Sequence, residues 1–425
     1  MGLLHHGRLL LGIDLGEEYA QISYNTGDRE VETLSLVAGE EQYNIPTVLC
    51  KRVGANQWFF GKEALAYAQD EQGILVENVL GLAVRGEPML IDGTTFDPVA
   101  LLTLFMKRCL GLPAQAGIHE KLYAINITCE KLDSRMVEVL NQVVQRLQLR
   151  TEKVFYLSHV ESFYHYVTKQ PKELWQSHAL LLEYRGTKVI SYCMGSNPRT
   201  TPVVCYVEKW EYNMPPYEPM PEEEAARREK MERLDREFDD IATQVCRRTP
   251  VTSVYLIGEH YSEEWMKESL RNLCMGRRVF QGNNLYSKGA CYALIERAQP
   301  SEVGQAHIFL GEEKLQSNIG MRILSQGEEI YYALLDAGIN WYEAAQQFEF
   351  YMRGGNELQI EITPLTGRES RVETVVLEDM LPGMSRLRAK LFLEDERKLK
   401  LEIEDLGFGS FRAATNYVWH KEVAL

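Results

Sequence analysis

The sequence is short of positive charge. Lys and Arg number 46 against 61 Asp and Glu, a net charge of −15 over 425 residues. A nucleic-acid binder needs a basic footprint that displaces counterions from phosphate, so that class is excluded. The same balance argues against attraction to anionic lipid. No apolar run approaches the roughly 20 residues a membrane-spanning helix needs, so no membrane partner is expected. The eight cysteines (Cys50, Cys109, Cys129, Cys193, Cys205, Cys246, Cys274 and Cys291) contain no C-x-x-C pair and no zinc-knuckle spacing. Most sit in apolar runs, so they read as reduced core residues, and no metal centre is expected. The start, Met1 to Arg8, carries neither the charged opening nor the cleavage site of a secretory signal. A cytoplasmic location is expected. A glycosylation sequon, Asn126-Ile127-Thr128, lies in an apolar run and reads as chance.

What is present is ordinary globular chemistry. Hydrophobic residues make up 45% and charged residues 25%, which excludes disorder. Leu9 to Gly16 reads as a strand ending in a tight turn, and Tyr19 to Tyr24 as its returning partner. Asp97-Pro98 opens a helix to about Leu110, with Asp as cap and Pro at the first helical position. Tyr123 to Thr128 is a buried strand, and Asp133 caps a helix with Met136, Leu140, Val143, Val144 and Leu147 on one face. A strand over 154–157, a helix over 160–169, and a strand–turn–strand over 179–193 follow. Residues 222–246 form a long helix with the stripe Met231, Leu234, Phe238, Ile241 and Val245. Val254 to Gly258 is a strand, with helices beyond it to about Arg297. Strands alternating with helices give an α/β architecture.

After about Gln305 the period changes to two. Residues 348–362 alternate around a glycine turn, and residues 386–393 and 398–404 alternate strictly. This predicts a separate antiparallel β-domain, with the boundary near His307 to Gly311.

The order of these pieces resembles the actin/hexokinase/DnaK-type ATPases, and the DnaK-type chaperones above all. Gly12-Ile13-Asp14-Leu15-Gly16 resembles the first phosphate loop. Asn44 to Val48, Phe96-Asp97-Pro98, Ala124 to Thr128, Tyr156 to Glu161 and Val254 to Glu264 resemble further chaperone segments in chaperone order. The tail, up to Asp405-Leu406-Gly407-Phe408-Gly409, resembles the substrate-binding β-sandwich. The resemblance implies a two-lobed actin-like ATPase body over 1–306, with lobe I to about 175 and lobe II over 176–306. It implies an antiparallel β-sandwich over 307–425. The sequence ends at Leu425, short of the chaperones' long helical lid, so a lidless sandwich is expected.

The departures fall on the nucleotide site. Glu17 and Glu18 replace the two phosphate-binding hydroxyl residues. The catalytic lysine aligns with Glu77 and the second catalytic glutamate with Ser158. The second phosphate loop is reduced to Glu183-Tyr184-Arg185-Gly186-Thr187. The adenosine Gly-Gly becomes Gly258-Glu259, and its arginine Ser262. A degenerate nucleotide cleft would thus keep Gly12, Asp14, Gly16, Glu183, Gly186 and Gly258. Tyr184 and Arg185 would place side chains where glycine backbone approached phosphate. A carboxylate about 4 Å from a phosphate charge costs on the order of 4 kcal/mol at an effective dielectric near 20, against about 8 kcal/mol for micromolar affinity. No group remains to position the attacking water. Asp14 is then either a vestigial holder of metal-bound water or a turn-forming residue of the hairpin.

A DnaK-like pseudo-chaperone with lost or much weakened ATPase is expected, serving as a protein-interaction or scaffold module. It would need no cofactor, and a specific protein partner would dock on the β-sandwich at Ile330, Tyr331, Tyr332 and Leu334. Two alternatives stay open: a weak binder of ATP and magnesium that holds extended peptides, and a sensor of a cationic or non-phosphate ligand in the acidic cleft.

Overall fold

The computed structural model describes residues 7–27, 30–37, 39–70, 72–151, 153–216, 218–262, 265–365, 369–381 and 383–425. The side chains of Glu259 and Ser262 lie outside that description. The chain divides into two compact units, Met1–Ile308 and Phe309–Leu425. The first mixes helices and strands, and the described elements of the second are all strands.

In the first unit Arg8–Leu15 (β1) and Tyr19–Asn25 (β2) form an antiparallel hairpin. Helix α1, Pro98–Cys109, starts where the Asp97 side chain accepts from the Val99 N–H. Lys121–Cys129 (β3) then runs parallel to β1. Asp133 caps α2, Ser134–Leu147, by accepting from the Met136 N–H at 2.9 Å. Its buried side chains are Val137, Val139, Leu140 and Val143, a wider stripe than the one-face pattern predicts. Helix α1 and the helix Val79–Arg85 both pack on it, whereas Met136, Val144 and Leu147 are half-buried. Val154–Ser158 (β4) lies parallel to β3, and α3, His159–Thr168, leaves its end. The order β4-β3-β1-β2 puts β1 in the centre, which is why Leu9 to Leu15 are all buried apart from the turn that follows.

The second sheet repeats this plan. His178–Arg185 (β5) and Lys188–Asn197 (β6) form a hairpin extended by Val203–Asn213 (β7). The long helix α4, Glu224–Arg248, buries Leu234, Phe238, Ile241 and Val245. Val251–Ile257 (β8) is parallel to β5. Helix α5, Glu268–Leu273, leads to Arg278–Gln281 (β9), parallel to β8, and α6, Leu285–Ala298, follows. The order β9-β8-β5-β6 matches β4-β3-β1-β2 strand for strand, and each sheet has six strands in all. Neither β7 nor β9 is expected from the sequence. β7 mixes Glu208, Lys209 and Glu211 into a half-exposed strand, so its period-two signal is weak.

Helices α3 and α6, at equivalent places in the two halves, cross in contact. A Cβ on Gly289 of α6 would lie 2.0 Å from the Ser162 carbonyl oxygen of α3. A Cβ on Gly12 would lie 2.3 Å from the Ser287 oxygen and 2.4 Å from the Cys291 nitrogen of α6. The absent side chains let two backbones close on each other. One buried acid braces the second half: Asp235 of α4 accepts from the Glu268 and Ser269 N–H groups at 2.8 and 3.0 Å and so caps α5.

The second unit holds two four-stranded antiparallel sheets. Ser317–Ser325 (β10), Glu328–Leu335 (β11), Glu357–Pro364 (β13) and Arg371–Val376 (β14) form one, in the order β11-β10-β13-β14. Ala345–Arg353 (β12), Met384–Asp395 (β15), Lys398–Asp405 (β16) and Val418–Ala424 (β17) form the other, in chain order. The Gly354-Gly355 turn, with both φ values near +75°, does not close a hairpin. It hands the chain from one sheet to the other, since β12 pairs β15 while β13 pairs β10 and β14. On β15 and β16 the alternation is strict. Leu387, Ala389, Leu391, Leu399, Leu401 and Ile403 are buried. Each such side chain contributes roughly 1–3 kcal/mol on burial.

Candidate functional site

Asp14 sits one residue before the end of β1 and is buried. The turn behind it is tight: the Gly16 N–H donates to the Tyr19 carbonyl at 3.0 Å, and a Cβ on Gly16 would lie 2.9 Å from that oxygen. Glu183 holds the matching place on β5, two residues before that strand ends, and is also buried. Gly186 makes the following turn with φ +57°, and nothing lies within 4 Å of where its side chain would be.

The two acids are joined by two rings. His159, the first residue of α3, puts Nε2 2.8 Å from Asp14 Oδ1. Its imidazole stacks on the phenol of Tyr286, at the start of α6, with centroids 3.9 Å apart and planes 12° apart. The Tyr286 hydroxyl donates to Glu183 Oε2 at 3.2 Å. Each half of the unit thus supplies one strand-end acid and one helix-start ring, and the rings meet. Burial first, and the Glu183 charge second, push the Tyr286 phenol well above its usual pKa, so it stays a donor.

The array runs on to Arg185. Its guanidinium contacts Glu183 Oε1 and Glu130 Oε2, both at 2.5 Å, and Glu130 follows β3 of the first sheet. Burial works against the Arg185 charge, but Glu183 and Glu130 outweigh it and raise its pKa. Tyr184 differs from the sequence reading. Strand alternation turns it to the opposite face, where its ring meets His260, Tyr261 and Trp265 and its hydroxyl donates to the Pro215 carbonyl at 2.6 Å.

The remaining predicted positions pack, turn or cap around these strand ends. Gly12 packs against α6 rather than standing open. Gly258 has φ +119°, and a Cβ there would lie 2.5 Å from the Tyr184 oxygen. Ser158 caps α3 by accepting from the Glu161 N–H at 3.3 Å. Glu17 is exposed and accepts from Asn78 Nδ2 at 2.8 Å, and Glu77 is exposed as well. The sequence reading of Glu259 and Ser262 concerns side chains outside the described residues. His159 falls within the Tyr156–Glu161 segment without a role of its own there, and Tyr286 and Glu130 carry no motif. The signal that His159 and Tyr286 share is position, a ring at the start of the helix after each outer parallel strand.

On the second unit, β11 is an edge strand. Ile330 and Tyr331 are exposed and Tyr332 is half-buried against Phe348, ring centroids 5.8 Å apart. Leu334 and Leu335 are both buried, because a register shift opposite Ile319 and Gly320 makes Leu334 an extra residue on β11. The Tyr331 ring covers Gly320, whose Cβ would lie 2.3 Å from it. A cavity of about 240 Å³ adjoins the end of β11, lined in part by Ala333, Leu334, Asp336 and Gln346.

Six cysteines are buried, Cys246 is half-buried and Cys274 is exposed, so Cys274 departs from the core reading. Asn126 is buried, and its Nδ2 donates to the Ala290 carbonyl at 3.1 Å. Among the described residues no helix is long and apolar enough to cross a membrane, and no three His, Cys, Asp or Glu side chains are grouped to hold a metal ion.

No curated protein matches the chain. Residues 314–425 match a domain of unknown function (DUF8552). Residues 30–312 match the C-terminal part of a family of unknown function (DUF5716). That match spans more than half of the chain, which therefore belongs to the DUF5716 family.

Proposed function

We propose that the chain is a DnaK-like pseudo-chaperone, a protein-interaction module whose ATPase is lost or much weakened. In this reading the first unit is a two-lobed actin-like body, with one lobe built on each of its two six-stranded sheets. The repeated strand order supports that. The second unit is the β-sandwich, and its two antiparallel sheets fit it. One observation carries the functional part. The residues standing where the two phosphate loops would be are engaged with each other, Asp14 through His159 and Tyr286 to Glu183, and Glu183 with Arg185. A phosphate entering there must break a buried charged hydrogen bond, worth about 1.5–3 kcal/mol, and displace stacked rings. It must also approach Glu183, whose charge Arg185 only partly offsets.

The partner surface in this reading is the β11 edge, where Ile330 and Tyr331 offer apolar contact beside free backbone groups. A second reading, a weak ATP binder, is favoured by Gly186 alone, which keeps a positive φ and open space around it. Steady-state ATP turnover separates the two. The proposal expects hydrolysis no faster than a protein-free blank with magnesium present. Turnover that disappears in Asp14→Asn overturns it in favour of the second reading.

A further inference from the structure

At the end of the first sheet opposite Asp14, where β1, β3 and β4 begin, cations and aromatic rings alternate in a row. The Arg8 guanidinium lies 4.4 Å from the centroid of the Tyr123 ring, and Lys153 Nζ lies 4.0 Å from the same centroid. Lys153 also donates to the Tyr123 hydroxyl. On the neighbouring strand β4, the Phe155 centroid lies 4.3 Å from the guanidinium of Arg297 on α6. Lys121 stands directly beside Arg8 in the parallel register, and like charges so placed repel. Lys121 and Lys153 are exposed. Among the described residues Arg8, Lys121 and Lys153 form no ion pair with a carboxylate, although Asp and Glu outnumber Lys and Arg in this chain. Tyr123 holds Arg8 and Lys153 by cation–π contact, and Phe155 holds Arg297. Hydrogen bonding from Lys153, with the Lys153 and Arg8 charges, lowers the Tyr123 pKa against the effect of burial.

We propose that this row docks an acidic, extended segment of a partner protein. The match is one of charge and spacing. The Arg8 guanidinium and Lys153 Nζ lie on one ring and so are at most about 8 Å apart, and carboxylates two residues apart on an extended chain lie about 7 Å apart, so two acids of one segment can meet both cations. Among the described residues the row offers no helix N-terminus to wrap a compact phosphate, which favours a segment over a free phosphate. The surface lies on the other end of the sheet from Asp14, so this inference does not depend on the cleft reading.

The test uses the full chain and a fluorescein-labelled twelve-residue peptide of alternating Glu and Ser, with a Lys-Ser peptide as control. Fluorescence anisotropy should show binding of the Glu peptide only, weakening at least fivefold between 50 and about 300 mM salt. Lys121→Gln with Lys153→Gln, both exposed, should weaken it at least tenfold and leave the melting temperature unchanged. Tyr123→Phe keeps the ring and should retain most of the binding. Equal affinity for the two peptides, or no effect of the double substitution at unchanged melting temperature, overturns the proposal. Pyrophosphate competing at micromolar concentration also overturns it, by assigning the row to phosphate instead.

Discussion

The imidazole of His159 lies flat on the phenol of Tyr286, and each ring hands a hydrogen bond to an acid from its own half of the first unit: His159 to Asp14, Tyr286 to Glu183. The pair closes a path between the ends of β1 and β5. Removing either ring should therefore cost stability as well as alter the site. Tyr286→Ala deletes a buried aromatic and should lower unfolding free energy by about 3–5 kcal/mol in urea titration. His159→Ala strands the buried Asp14 carboxylate and should cost about 2–3 kcal/mol. If Asp14→Asn then restores part of the loss in the His159→Ala background, the pairing is the cause.

The glycines that resemble phosphate loops separate by what they touch. Gly12→Ala forces a Cβ into the backbone of α6, and Gly289→Ala into the backbone of α3, so each should destabilise by about 1–3 kcal/mol or more. Gly186→Ala meets nothing and should cost only about 1 kcal/mol, for its left-handed φ. Thermal melts of the three variants check the ranking.

Acid stability should rest on two buried carboxylates. Burial alone would raise the Asp405 pKa. Hydrogen bonds from Ser385, Thr415 and the Gly407 N–H, with the Arg412 charge, outweigh it and hold it below the usual range. Burial opposes the Asp235 charge in the same way, and the Ser269 hydroxyl with the Glu268 and Ser269 N–H groups overcomes it. A carboxylate more acidic in the fold than in the unfolded chain contributes in full above about pH 5, and that contribution fades as pH falls through the folded value. Asp405→Asn should flatten the acid limb of a pH–stability profile and lower stability at pH 7. An unchanged acid limb in both Asp405→Asn and Asp235→Asn would show that other groups set it.

On the second unit, burial separates the β11 residues by role. Leu334→Ala should lower stability by about 2–4 kcal/mol, because Leu334 is buried at the bulge. Ile330→Ala should leave stability within about 0.5 kcal/mol, since the side chain is exposed. Urea titrations of the full chain distinguish the two.

The repeated hairpin–helix–strand order was legible because each element carried its own local signal. Asp97 and Asp133 cap helices, Gly16 closes a turn, and β15 and β16 alternate without a break. What stayed hidden is tertiary. Nothing local tells that His159 meets Tyr286, 127 positions away, because that contact follows from the crossing of α3 and α6. Asp14 and Glu183 were readable as strand-end acids, but their partners were not. Tyr184 departs from the expectation for a simpler reason: consecutive residues of a strand point to opposite faces, and Glu183 and Arg185 occupy the one toward Tyr286 and Glu130. β7 escaped notice because its charges interrupt the alternation that marks a strand.

The central claim, that the strand-end acids hold each other and leave no nucleotide site, is tested most directly by isothermal titration calorimetry of the full chain with ATP, with and without magnesium. The account predicts no heat beyond dilution at ATP concentrations up to about 1 mM, which places any Kd above the range of about 4 kcal/mol of binding free energy. A saturable isotherm with micromolar Kd that is lost in Asp14→Asn would contradict it.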